Sequence, residues 1–204
     1  MQISTRPPGT PIAALEHRAG HPCLDFVNSL TGIDTPTARD SLLTPADYRT
    51  WAGIAGIKVD PPAGDRAEQA ALARARALRE AILQILRAMA ARQPAPAAAL
   101  EHLTDEAARA FRSRRLAIEK GRLAWKRTRF DLDSVTDWLA AETAALLAHE
   151  EPLPLKRCAG EDCGWFFLDT SRNKSRHWCS MADCGNRAKA RRHRARHQGE
   201  ERAG

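Results

Sequence analysis

At 204 residues and 43% hydrophobic, with a mean hydropathy of −0.48, the chain has room for one medium domain and a small one that fold in water. No apolar run approaches the ~18–20 residues of a membrane helix, and the first twenty residues lack the apolar core of a secretory signal, so no membrane partner and a cytoplasmic location are expected. The formal net charge of +7 is unevenly placed: residues 1–155 carry 20 Lys and Arg against 19 Asp and Glu, whereas residues 156–197 carry 11 against 4. A compact basic module in a near-neutral chain points to a polyanionic partner.

Residues 1–19, with Pro7, Pro8 and Pro11, read as a loose entry. His21 to Leu30 places Cys23, Leu24, Phe26, Val27 and Leu30 on faces that suit a helix or a buried strand; the run is too short for periodicity to decide, and the helix is preferred. His21, Asp25 and Asn28 then share one helical face at i, i+4 and i+7. Their leading role is capping and satisfying buried backbone; the alternative is the wall of a ligand pocket. Cys23 stands alone and reads as a small core residue. After a turn-rich loop over Thr31–Ser41, Thr44 and Pro45 open a helix to about Ile54, as N-cap and first helical residue.

Asp65 is expected to cap a long helix over roughly 66–92. Leu72, Leu78, Ile82, Ile85, Leu86 and Met89 form its apolar stripe, and Arg74, Arg76, Arg79, Arg87 and Arg92 read as a solvated face. Pro94 and Pro96 break it, and a helix from Ala97 to about Arg112 follows, burying Leu100, Leu103, Ala107 and Phe111. Period-two alternation on both sides of Lys120-Gly121 predicts a hairpin, with Leu116, Ile118, Leu123 and Trp125 on or near one face. A further helix starts at Asp133 or Ser134 and runs to about His149, and Glu150–Pro154 is the natural boundary.

Four of the five cysteines lie beyond it. Cys158 and Cys163, then Cys179 and Cys184, form two pairs with identical four-residue spacers, fifteen residues apart. Such spacers let one tight turn aim two thiolates at a single ion, and zinc prefers four tetrahedral N/S ligands. Disulfides would need an oxidising compartment. One structural Zn²⁺ is the preferred reading, with His177 as a rival ligand and iron as an alternative ion. Gly164–Asp169 reads as a strand, Thr170–Ser175 as a polar turn and Arg176–Cys179 as the returning strand, and a helix follows from Gly185 to about His197. Knuckle, hairpin, knuckle and basic helix make a treble-clef-like module. The fold class expected is α+β, mainly α.

The tetrapeptide Cys184-Gly185-Asn186-Arg187, preceded by Arg176–Met181 and Cys163–Asn173, resembles the CGNR zinc finger. Gly20–Asn28 resembles the opening of the ABATE domain, which accompanies that finger in bacterial stress-induced transcription regulators. The resemblance covers nearly the whole chain. It implies a small-molecule sensor over 20–151, a DNA-binding zinc finger over 155–198 and a short tail over 199–204.

Along the last helix Arg187, Arg191 and Arg194 recur at i, i+4 and i+7, broadened by Lys189, Arg192 and Arg196; Ala188 and Ala195 are its packing stripe. With Arg172, Lys174 and Arg176 of the preceding turn, these are the candidate DNA contacts, since Arg and Lys supply phosphate affinity and bidentate Arg reads bases. Arg187 has a second reading as a hydrogen-bond partner of the thiolates, and Asn186 as a cap. No Gly-rich phosphate loop, nucleophile elbow or His-Glu-x-x-His pattern occurs, so no enzyme is expected. The first reading is a DNA-binding transcription regulator, with a homodimer on paired half-sites supplying specificity. The alternatives are an RNA-binding zinc protein, or an enzyme with its site near His21 and Asp25.

Overall fold

The computed structural model describes residues 10–201, with side chains as far as Ala195. Helix α1 (Pro22–Val27) is capped by His21, and its Cys23, Leu24, Phe26 and Val27 are buried. Strands β1 (Leu30–Thr31) and β2 (Arg39–Asp40) pair antiparallel and fold the turn-rich loop back on itself. Helix α2 (Pro45–Ile54) opens on a capping box between Thr44 and Asp47 and buries Tyr48, Trp51 and Ala52. Phe26 meets the Trp51 ring edge-on at 5.2 Å, which fixes α1 against α2.

Helix α3 (Asp65–Ala91) is the central element, with Leu72, Leu78, Ile82, Ile85 and Leu86 buried. Gly64, at φ +117°, is the residue before it, so Asp65 lies in its first turn and does not cap it. The expected solvated arginine face is also corrected. Arg79 is buried and bonds both carboxylate oxygens of Asp40, at 2.9 and 2.7 Å, and Ser29. Arg76 donates to the carbonyls of Leu42 and Leu43. Arg74 bonds Glu106, Asp133 and Asp137. Helical periodicity records that a residue is polar; it cannot see a carboxylate brought in from another element.

Helix α4 (Ala97–Arg112) buries Leu103 and Ala107, but Leu100 and Phe111, expected inside, are exposed. Strands β3 (Arg114–Glu119) and β4 (Arg122–Arg127) form the expected hairpin, and Lys120 and Gly121 both take the positive φ of a tight primed turn. Helix α5 (Leu132–Leu147) starts one or two residues before the expected position because Asp131 caps it, accepting from Ser134 N at 2.8 Å. It packs against both α3 and α4, which also touch each other. Among the described residues, no helix is long and apolar enough to cross a membrane.

The zinc-binding segment docks on this domain, and the two share one hydrophobic core. Strand β5 (Leu155–Arg157) pairs antiparallel with β6 (Phe166–Leu168), and Phe166 and Phe167 are fully buried. This corrects the expected hairpin: β6 turns back to the chain before the first knuckle and not to Arg176–Cys179. The outer edge of β6 is filled from the first domain. Leu168 N donates to Ala19 O at 2.8 Å, while the Asn28 side chain accepts from Phe166 N at 3.0 Å and donates to Phe166 O at 2.8 Å. Asn28 thereby imitates a strand residue and closes an edge that would otherwise be open.

Candidate metal centre and nucleic-acid interface

β5 delivers Cys158, and the turn after it is closed by Cys158 N to Trp165 O at 2.7 Å and Cys163 N to Gly160 O at 3.1 Å. Gly164 then takes a φ of +70°, with Ile33 O only 2.4 Å from where a Cβ would stand. Glycine is required there by both conformation and space. Buried Asp169 organises the loop that follows, accepting from Ser171 N and Arg176 N and from Lys156 Nζ at 2.7 Å. That loop brings Cys179 back beside Cys158, and Cys179 N donates to Cys158 Sγ at 3.3 Å. Ser180 caps a wide helical turn, Met181–Gly185, which carries Cys184 and runs into helix α6 (Asn186–Glu201). Asn186 is therefore inside the helical run and not its cap; its side chain donates to Ala182 O at 3.0 Å.

The four sulfurs of Cys158, Cys163, Cys179 and Cys184 lie within 4.8 Å of one another, and all four residues are buried. A tetrahedron with metal–sulfur bonds of about 2.3 Å has edges of about 3.8 Å. The Cys163–Cys179 and Cys179–Cys184 sulfurs are each 3.7 Å apart. So close a set resists full ionisation on its own: the Cys163 thiol is pushed up by hydrogen bonds to Cys158 and Cys179, with burial adding to the shift. A dication reverses that balance. The donor set and spacing fit one structural Zn²⁺ with every position filled by thiolate. His177 is exposed and gives the site only its backbone carbonyl, to Ala159 N at 2.9 Å.

Two pattern matches fit this geometry. Residues 155–197 match the CGNR zinc finger, and residues 20–150 match ABATE, described as "Putative stress-induced transcription regulator". The ABATE match spans well over half of the chain. The chain belongs to the ABATE family. No curated protein matches it.

In this ABATE protein eight of the nine candidate DNA contacts separate into two groups. Arg187 donates to Cys184 Sγ at 3.1 Å, so it serves the metal site. Arg176 bonds Cys179 O at 2.6 Å and lies 4.5 Å over the Phe167 ring. Arg191 pairs with Glu161 at 3.3 Å. Arg172, Lys174, Lys189, Arg192 and Arg194 are exposed and form no ion pair with the described residues. The side chain of Arg196 lies outside the described residues. Arg187 thus turns to the cysteine sulfurs and Arg191 to Glu161, while Lys189 and Arg192 lie on the opposite side of α6.

His21, Asp25 and Asn28 are spent on capping and on backbone hydrogen bonds, the leading role expected of them. His21 Nδ1 accepts from Cys23 N at 3.3 Å, Asp25 accepts from Ala19 N at 3.0 Å, and Asn28 holds Phe166. A cavity of about 430 Å³ lies elsewhere, between the N-terminal segment and the metal turn, lined in part by Arg18, Trp165, Ser180, Asp183 and Arg187. Arg18 crosses its rim to bond Ser180 and Asp183.

The sequence reading missed Asp169, Asn28 as a strand mimic, and the clamp of Asp34 on Arg157 at 2.9 Å. Only for Asp169 was there a local signal, an Asp followed by Thr170-Ser171 at the end of an apolar strand, the composition of a side-chain-closed turn.

Proposed function

We propose that this protein is a DNA-binding transcription regulator that acts by binding and not by catalysis. Its zinc module presents α6 and the Arg172–Lys174 turn to the phosphate backbone. The observation that supports this most is the set of five exposed cations without an ion pair among the described residues, in a segment that carries all of the chain's charge excess. Helix α6 has its chief contact with the turn that precedes it, so its far side is open to a duplex. If all five contact phosphate, log K falls with log[salt] at a slope of about −4.5. Lys189→Ala with Arg192→Ala should flatten that slope by about two units. Titrations of a random-sequence duplex at several salt concentrations measure it. An unchanged slope removes α6 from the interface, and tighter binding to unpaired RNA than to duplex selects the RNA-binding alternative.

The first domain is the sensor in this reading. The cavity beside the metal turn supports it, because a ligand there would touch the residues that fix the start of α6. A small molecule bound at that site would slow the release of zinc to a chelator, and an effector that leaves the release rate unchanged would exclude the cavity.

A further inference from the structure

The β3–β4 hairpin presents an apolar face with nothing on it. Cross-strand register sets Leu116 opposite Trp125 and Ile118 opposite Leu123. Alternation along both strands puts these four side chains on one face. They are 53%, 51%, 77% and 69% exposed, respectively. Phe111, 48% exposed at the end of α4, extends the face by meeting the Trp125 ring edge-on at 5.7 Å.

The charges divide by face. Arg115, Glu119, Arg122 and Lys126 alternate onto the opposite side of the ribbon, where Lys126 and Glu119 pair at 3.1 Å. At the base of the apolar side, Arg114 lies over Phe111, and Arg127 lies over Phe130 while donating to Lys58 O. Apart from Arg114 and Arg127 at its base, the strands put no charged side chain on this face. Beyond that base, a second copy of the same face would meet apolar side chains, with Arg115, Arg122 and Lys126 pointing away.

The area agrees. At these exposures the five residues leave on the order of 600 Å² in water, most of the ~800 Å² per partner of a standard interface. We propose that the protein is a two-fold symmetric dimer, closed by packing the Leu116, Ile118, Leu123 and Trp125 faces of two hairpins against each other. A two-fold contact uses the same patch on both copies, which a self-complementary apolar face satisfies. This inference stands independently of DNA binding.

The test is molar mass by light scattering across a hundredfold range of concentration, for wild type and for Ile118→Glu with Leu123→Glu. Both positions are among the most exposed in the chain, so the double variant should keep the wild-type circular dichroism. Wild type is expected at twice the 22.5 kDa chain mass, and the double variant at one chain mass, with self-association weakened at least about 100-fold. Ile54→Glu, at an exposed apolar residue of α2, is the control and should remain dimeric. A monomeric wild type overturns the proposal, as does a dimer that survives the double variant. A monomeric wild type whose double variant loses duplex binding would give the face to nucleic acid instead, and overturns it equally.

Discussion

Asn28→Ala should be far more damaging than the loss of one small polar side chain. The Asn28 amide is buried and is the partner of both the N–H and the C=O of Phe166 on the outer edge of β6. Alanine leaves two buried backbone groups without partners, at about 1–3 kcal/mol each, so a loss of about 2–6 kcal/mol is expected. That is a large part of the ~5–15 kcal/mol typical of a folded domain. Asn28→Asp should be at least as harmful, since it keeps an acceptor for the N–H but sets a carboxylate oxygen against the Phe166 carbonyl. Because Phe166 and Phe167 lie in the same core as α1 and α3, the zinc module and the helical domain should unfold together. Urea unfolding can be followed in parallel by far-ultraviolet circular dichroism, dominated by the helices, and by zinc release to a chromogenic chelator. The two midpoints should coincide in wild type and shift together in the variant. A loss below about 1 kcal/mol, or helices that persist after zinc has gone, would refute the reasoning.

Gly164→Ala should cost about 2 kcal/mol or more, because φ is +70° and the added methyl would meet Ile33 O, which is backbone and cannot swing aside; thermal unfolding and zinc content of the purified variant measure it, and a wild-type melting temperature would refute the close approach. A pH effect follows from His21, whose side chain is held below its ordinary value of 6.5 by burial, with Glu142 opposing. Its Nδ1 caps α1 only while unprotonated, so the ~1 kcal/mol of the cap is fully present above about pH 6.5 and is lost as pH falls through the lower native value. Between about pH 7.5 and about pH 5.5 the wild type should lose more stability than His21→Asn, whose amide oxygen can cap without titrating; equal losses would count against it.

What the sequence made legible was carried by neighbours in the chain. Thr44-Pro45 at the start of α2, Lys120-Gly121 between β3 and β4, and the paired cysteine spacers each state a local geometry, and each appears where it was expected. The misreadings share one cause. Arg79 looked solvated because Asp40, thirty-nine residues away, supplies its counter-charge. Arg176–Cys179 looked like the partner of β6 because it was the next extended stretch, whereas the actual partner, Leu155–Arg157, is only three residues long and lies before the first knuckle. Phe111 looked buried because helical periodicity reports which side is apolar and not whether anything covers it. The same limit applies to α6. Its charge was readable, but the rotation that spends Arg187 and Arg191 on the module and leaves Lys189 and Arg192 outside is set by Cys184 and Glu161. The metal turn therefore decides not only that the helix forms but also which of its cations remain available to a partner.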